Sequence, residues 1–597
     1  MLERYLDQLL FEMKDASIFE LAPSAEDRPA WEGLPDDCRR QLIREAERVM
    51  EEPIPALYAS DYMRFQKKGH RSAYSTPYFA RRNMLNTLVL GQAARPEEHA
   101  DARIADLIWA ICEESSWTIP VNNPLALGAN SLPLPDIYEP LVDAAAADTA
   151  ADLCMTAHVL GERLYRMTPQ LLQRIAYELD RRIITPFLAA RDMKWMCGSN
   201  ASAAVCLRGV MISFLSFEQD DRRRWQCMQK AWSILDWLIE SLPQDGSIPG
   251  GVTEWLDTAG PLMDCLAMVR TATRGKIDLR RELQVQLMCH YPVLCHIAQG
   301  WFVNMGAQTM KPELSGPAMY RIGVEARDSA LRDLGAFLLK TQGEGPKEEL
   351  LLHRCQNAQL RARLEKDMEK AQPPFRMHGY VNAQELMFSR MQEDSEHGLA
   401  IAVHGGNNGQ IGGHEDVGDL IVFAHGQPVL VDAGCFPMTS MHSLPVIGVY
   451  EQESGANRRA EDVTFHLSDE YDMLTMNLTE LYPRDAHIMS WQRTAVFNRD
   501  DGTAQLIDVF DLNSFETIRF NFMTPCKPVL GERFAQLGPV RIRWEEGLTA
   551  SCETLELSDE PWKKLWNGAL YRLTLTTDEP VNGGEYTFTL NALRTFG

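Results

Sequence analysis

The chain has 597 residues, 45% of them hydrophobic and 24% charged, as in a soluble globular protein with more than one domain. Its net charge of −24 argues against nonspecific binding to nucleic acid or an anionic membrane, so an acidic ligand would need a local basic pocket. Its 13 cysteines form no CxxC pair, and the first twenty residues interleave acids with apolar residues, unlike a secretion signal. Free thiols and the absence of a long apolar run predict a cytoplasmic protein that does not span a membrane.

Up to about residue 372 the pattern is helical. Residues 38 to 51 read as an amphipathic helix, and 225 to 242 place Trp232, Leu235, Ile239 and Leu242 on one face. Similar stretches lie at 103–113, 139–160, 169–189, 202–217, 259–273, 281–299 and 324–341. Stacked helical hairpins in an α/α toroid or solenoid would fit. The polar stretch 343–375 reads as one last exposed helix, closed by Pro373-Pro374. Strand patterns follow at 471–478, 505–512, 517–523, 540–544, 570–577 and 585–590. The predicted organisation is therefore a helical domain over 1–375 and an antiparallel β-sandwich over 376–597, with a cleft between them.

The stretch 404–442 carries the strongest chemical signal. Two apolar runs, 420–423 and 428–432, read as an antiparallel hairpin turning at His425-Gly426-Gln427. His414 precedes the hairpin, Asp432 ends it and His442 lies just beyond. Two imidazoles and a carboxylate held near stiff strands suit zinc. The competing reading is an exposed loop histidine and a turn aspartate.

Several motifs, in order, resemble the heparinase II/III-like polysaccharide lyases. They are residues 108–117 (IWAICEESSW), Tyr320-Arg321-Ile322-Gly323, the run from Asp416-Val417-Gly418 to Val431-Asp432-Ala433-Gly434, and His442-Ser443-Leu444-Pro445-Val446-Ile447. The resemblance implies an N-terminal α/α toroid, a C-terminal β-sandwich, and a mainly structural zinc at His414, Asp432 and His442. It also implies β-elimination of a uronic-acid polysaccharide, which needs a base for the C5 proton and an acid for the leaving oxygen.

The reactive positions depart from that pattern. The family's catalytic His falls on Gly412 and its catalytic Tyr on Glu254, within Gly250-Gly251-Val252-Thr253-Glu254-Trp255. An Asn-rich motif keeps only Asn200. Two further His positions hold Asn122 and Asn407. Glu254 beside Trp255 in an apolar cleft, or His404, is the candidate acid or base, with Asn200 a third catalytic candidate; the competing readings are a solvent-facing helix residue for Glu254 and a loop histidine for His404. Trp117, Asn122, Trp255 and Asn407 are candidate contacts for a sugar, aromatic faces being suited to stacking, with core packing the competing reading of the two rings. Arg81, Arg82, Arg181, Arg182, Arg191 and Arg321 could supply positive charge. The expected function is thus binding of, or action on, an acidic glycan with an altered or lost eliminase site. The alternative is a noncatalytic glycan-binding module or interaction scaffold. Oligomeric state stays open, a homodimer included.

Overall fold

The computed structural model describes Tyr5 and residues 21–123, 132–191, 194–197, 201–304, 306–347, 349–409 and 412–593. Helices dominate as far as Leu351–Lys370, and strands dominate from His378–Val381 onward. The helices pack side by side: Ala144–Met167 lies against Ala201–Phe217, which lies against Gly251–Ala272, and Gly316–Ala326 pairs antiparallel with Ser329–Gln342. The periodic face of Asp221–Ser241 buries Trp232, Leu235 and Ile239, while Leu242 ends the helix as its C-cap.

Three local departures from the sequence reading have physical causes. The helix expected over 169–189 widens into a π-turn at Asp180–Ile184 before continuing as Thr185–Ala189. The wide turn sits just before Pro186, which has no N–H for a regular ladder. The helix expected over 281–299 stops at Cys295, and the chain turns into a short hairpin, His296–Ala298 with Trp301–Phe302. The helix Leu351–Lys370 is not an exposed strut. It buries Leu351, Leu352, His353, Cys355, Ala358 and Leu364, and only its opposite face carries the charge run.

The strand half holds three larger antiparallel sheets. A five-stranded sheet runs in chain order through His378–Val381, Leu386–Arg390, Leu399–His404, Leu420–Ala424 and Gln427–Leu430. An eight-stranded sheet, from Glu461–Leu467 at one edge to Val529–Gly531 at the other, has Thr503–Glu516 and Val581–Ala592 near its middle. A four-stranded sheet ends at Pro445–Ile447, which pairs with Ile518–Thr524.

The five-stranded sheet is covered on both faces. Leu399, Ile401 and Val403 join the sandwich core, whereas Ala400 and Ala402 join the helical core. Leu420 and Val422 likewise face the sandwich, and Ile421 and Phe423 face the helices. Alternation of side chains thus serves two cores at once, and these strands read as unbroken apolar runs. This sheet fixes the helical half against the sandwich.

Candidate metal centre and junction site

The hairpin turn is two residues long. His425 (φ 51°) and Gly426 (φ 75°) both adopt left-handed backbone, and Ala424 pairs directly with Gln427. That geometry belongs to a type I′ turn, whose twist matches the flanking strands. Beyond Leu430 the chain leaves the sheet, and Asp432 sits in the following segment with its Oδ1 accepting from Gly434 N at 2.9 Å.

His414, Asp416, Asp432 and His442 converge, each offering one ligand atom, all within 4.8 Å of one another and all buried. His442 Nε2–H donates to Phe436 O at 3.0 Å, which turns Nδ1 toward the carboxylates. That Nδ1 lies 3.6 Å from Asp432 Oδ1 and 3.5 Å from Asp419 Oδ2. His414 Nδ1 lies 3.9 Å from Asp432 Oδ1. His414 Nδ1, His442 Nδ1, Asp416 Oδ2 and Asp419 Oδ2 are buried without a hydrogen-bond partner.

Electrostatics point the same way. Burial pushes the Asp432 carboxyl up to about 7. Burial disfavours charge on His442 as well, but Asp419, Asp432 and Asp416 outweigh it and raise its pKa to about 10. Burial, helped by His442, lowers His414 to about 4. Buried carboxylates demand positive charge, which a proton on His442 supplies and which a divalent cation would supply in its place. Nitrogen and oxygen donors turned inward fit a divalent metal ion.

Neighbouring segments fix the ligands. Asn304 Nδ2, from the helical half, donates to Asp432 Oδ2 at 2.8 Å. Ala307 N donates to Gly412 O at 2.9 Å, and the chains approach so closely that a Cβ on Gly306 would meet that oxygen at 2.5 Å. Glu415 N donates to Pro437 O, and Thr439 Oγ1 to Glu415 O, joining the loop that bears His414 to the loop that leads to His442. From the core, Arg493 Nη1 donates to Gly418 O at 3.0 Å and Ser443 O at 2.7 Å, while its guanidinium pairs with Asp508.

The remaining sequence candidates fall into three groups. Asn200 lies outside the described residues. Trp117 and Trp255 are buried; their indole N–H groups donate to Ile111 O and Met288 O, so both rings pack inside the helical half. Glu254 is exposed in the first turn of Gly251–Ala272, and Trp255 beside it is turned inward. Asn122 is half-buried and hydrogen-bonds the Asp143 carboxylate. Arg82 and Arg81 are held by Glu114, and Arg181 and Arg182 by Glu178, so those cations serve internal ion pairs.

His404 and Asn407 lie at the junction of the two halves. His404 ends the strand Leu399–His404, with Nδ1–H donating to Gly405 O and Nε2 at 3.9 Å from Asp416 Oδ1. Three residues on, Asn407 pairs in register with Arg459, which is 59% exposed at its side chain and 3.6 Å from Glu385. Glu385 Oε2 accepts from Gly406 N at 2.7 Å. The adjoining turn reaches the helical half: Gln384 Nε2 donates to Ile248 O, Tyr291 Oη–H donates to Gln384 Oε1, and Ala383 N donates to Asp245 Oδ2. Asp245 and Ile248 lie in the loop that leads into the helix of Glu254. Sequence reasoning missed Asp416 and Arg459. The spacing of Asp416 two residues after His414 was a usable signal; Arg459 had none, because its pairing with Asn407 spans remote segments.

A helical toroid followed by an antiparallel sandwich is the polysaccharide-lyase fold. Solved structures share it. A mutant heparan sulfate lyase HepC from Pedobacter heparinus matches with a TM-score of 0.59 at 14% identity, covering 99% of this chain and 88% of that one. Heparinase III matches with a TM-score of 0.60 at 10% identity, covering 98% and 88%. The chondroitin AC lyase of Streptomyces coelicolor A3, solved with chondroitin sulphate, matches at 0.52 and 12% identity, covering 99% and 83%. No family model matches the sequence, and no curated protein matches it. Among the described residues no helix is long and apolar enough to cross a membrane.

Proposed function

We propose that this chain binds an acidic, uronic-acid-containing glycan at the junction between its helical and sandwich halves, with the eliminase chemistry of the fold altered or lost. The observation that carries the reading is the pairing of a complete buried metal cluster with Gly412 and Glu254 at the positions where a base and an acid are expected. Gly412 has no side chain to take a proton. Glu254 is exposed at the start of its helix and stands where the resemblance expects a tyrosine hydroxyl to serve the leaving oxygen.

Zinc is the ion we assign, from two imidazole nitrogens and two carboxylate oxygens in a closed, buried set. Its contribution is structural, holding the segments around His414 and His442 together. His404 then acts as a positioning residue for Asp416. Arg459, exposed beside Asn407, supplies the positive charge that an acidic ligand needs on a chain of net charge −24.

The test uses heparan sulfate, chondroitin sulfate and xanthan. Binding to at least one polymer, weakened about fivefold or more by R459A and by added salt, is expected. Ultraviolet absorbance from a new C4–C5 double bond should not grow at the rate of a working lyase. Failure of all three polymers to bind would overturn the reading in favour of an interaction scaffold. Rapid elimination that survives E254Q and H404A would overturn the assignment of an altered site.

A further inference from the structure

A sizeable cavity lies away from the His/Asp cluster, inside the helical half. Its volume is about 630 Å³, and every lining residue precedes the first strand of the sandwich. Four helices build it: Ala144–Met167, Gly251–Ala272, Gly316–Ala326 and Leu351–Lys370. The segment 21–27 closes one side, where His158 Nε2–H donates to Ala22 O at 2.7 Å. Arg270 on this wall is sixteen residues beyond Glu254 on the same helix, or about 24 Å along its axis. The cavity is therefore remote from the junction, and nothing argued for that junction bears on it.

The polar groups of the lining are unevenly spent. Glu325 already accepts from Arg270 and Arg280, and Asp264 Oδ2 accepts from His353 at 2.7 Å and Arg208 at 3.2 Å. Glu325 and Asp264 are thus neutralised, three of their partners reaching them from outside the lining, and Asp27 caps its helix by accepting from Ala30 N. Donors are left over. Arg270 Nε and Gln359 Nε2 are buried with no hydrogen-bond partner. Unmet buried donors favour a ligand that brings acceptor oxygens, and a guanidinium matches a carboxylate best. Around them Met263, Ala267, Ile322, Val324 and Leu360 present apolar surface.

We propose that this cavity is a second binding site, for a small organic acid in which a carboxylate is attached to an apolar body. The carboxylate meets Arg270 and Gln359, and the body lies against Met263, Ile322 and Leu360. The volume admits a compound of drug-like size and excludes a polymer chain.

Calorimetric titration of the full chain with phenylacetate and with hexanoate, up to about 10 mM, tests the proposal. At least one acid should bind saturably with one equivalent. Phenylacetamide, which has the shape of phenylacetate without its charge, should bind about tenfold more weakly or worse. R270M and Q359L should each lose about tenfold in affinity while melting within about 4 °C of the parent. The proposal is overturned by absence of saturable binding of both acids, by equal binding of the acid and its amide, or by unchanged affinity in both variants. If a variant melts early, displacement of bound phenylacetate by hexanoate on the parent chain keeps the test decisive: two acids that do not compete do not share this cavity.

Discussion

Asn304 Nδ2 donates to Asp432 Oδ2 at 2.8 Å, across 128 residues of sequence, so a helical-half side chain orients a carboxylate of the sandwich-half metal cluster. The same amide also donates to Gln308 O at 3.0 Å, which holds it in place. An outer partner of this kind fixes the ligand oxygen that faces the ion. N304A should leave the fold intact and weaken metal affinity by about tenfold to a hundredfold. Competition with a chromophoric chelator measures it, and parental affinity would refute the link.

Asp416 should behave as a fourth ligand. D416A is expected to lower metal occupancy as strongly as H442A, because each removes one donor from the set of four. Glu415 stands between two cluster residues in sequence and is not one of the four, so E415A should retain metal. Elemental analysis of the three variants, purified in parallel, separates ligand from neighbour.

Arg493 and Asp508 form a buried pair that also supports the cluster through Gly418 O and Ser443 O. R493M strands the Asp508 carboxylate in the sandwich core and should cost about 3–5 kcal/mol. R493M/D508L removes both charges and should recover most of that loss, yet still bind metal more weakly, because the two loop carbonyls lose their donor. Urea unfolding gives the first quantity and chelator competition the second.

His296 should set a pH dependence of stability. Burial holds its pKa down at about 3, its Nε2–H donates to Gln299 O, and its ring stacks on Phe375. The folded pKa lies below the unfolded value of 6.5, so the unfolded chain binds more protons between those limits. The stabilising contribution is complete above pH 6.5 and falls by about 1.4 kcal/mol per pH unit as the medium is acidified toward pH 3. H296F loses the hydrogen bond, about 1 kcal/mol, but its stability should decline less steeply over that window. Parallel slopes for parent and variant would contradict the assignment.

The parts of this molecule that could be read from its sequence are those whose determinants are local. The hairpin at 420–430 announces itself through two apolar runs and a His-Gly turn, and His414, Asp432 and His442 lie beside it. Strand 399–404 was not legible, because burial on both faces removes the alternation that marks a strand. Ile488–Asn498 was hidden for a related reason: its inward positions include Arg493, a charge that looks like an outward residue until Asp508 is found opposite. Trp117 and Trp255 could be sugar platforms or core rings from sequence alone, which gives ring type but not direction, and both are core rings. Asn304, Arg459 and Arg493 act across long separations, which no spacing rule reaches.

The most direct measurement is the metal content of protein purified without added metal, by elemental analysis, before and after dialysis against a chelator. The account predicts about one equivalent of zinc in the parent, little in H414A, and a lower melting temperature after chelation that zinc restores. Equal zinc in the parent and H414A, or a parent that carries no divalent ion and melts unchanged in the presence of zinc, would contradict it.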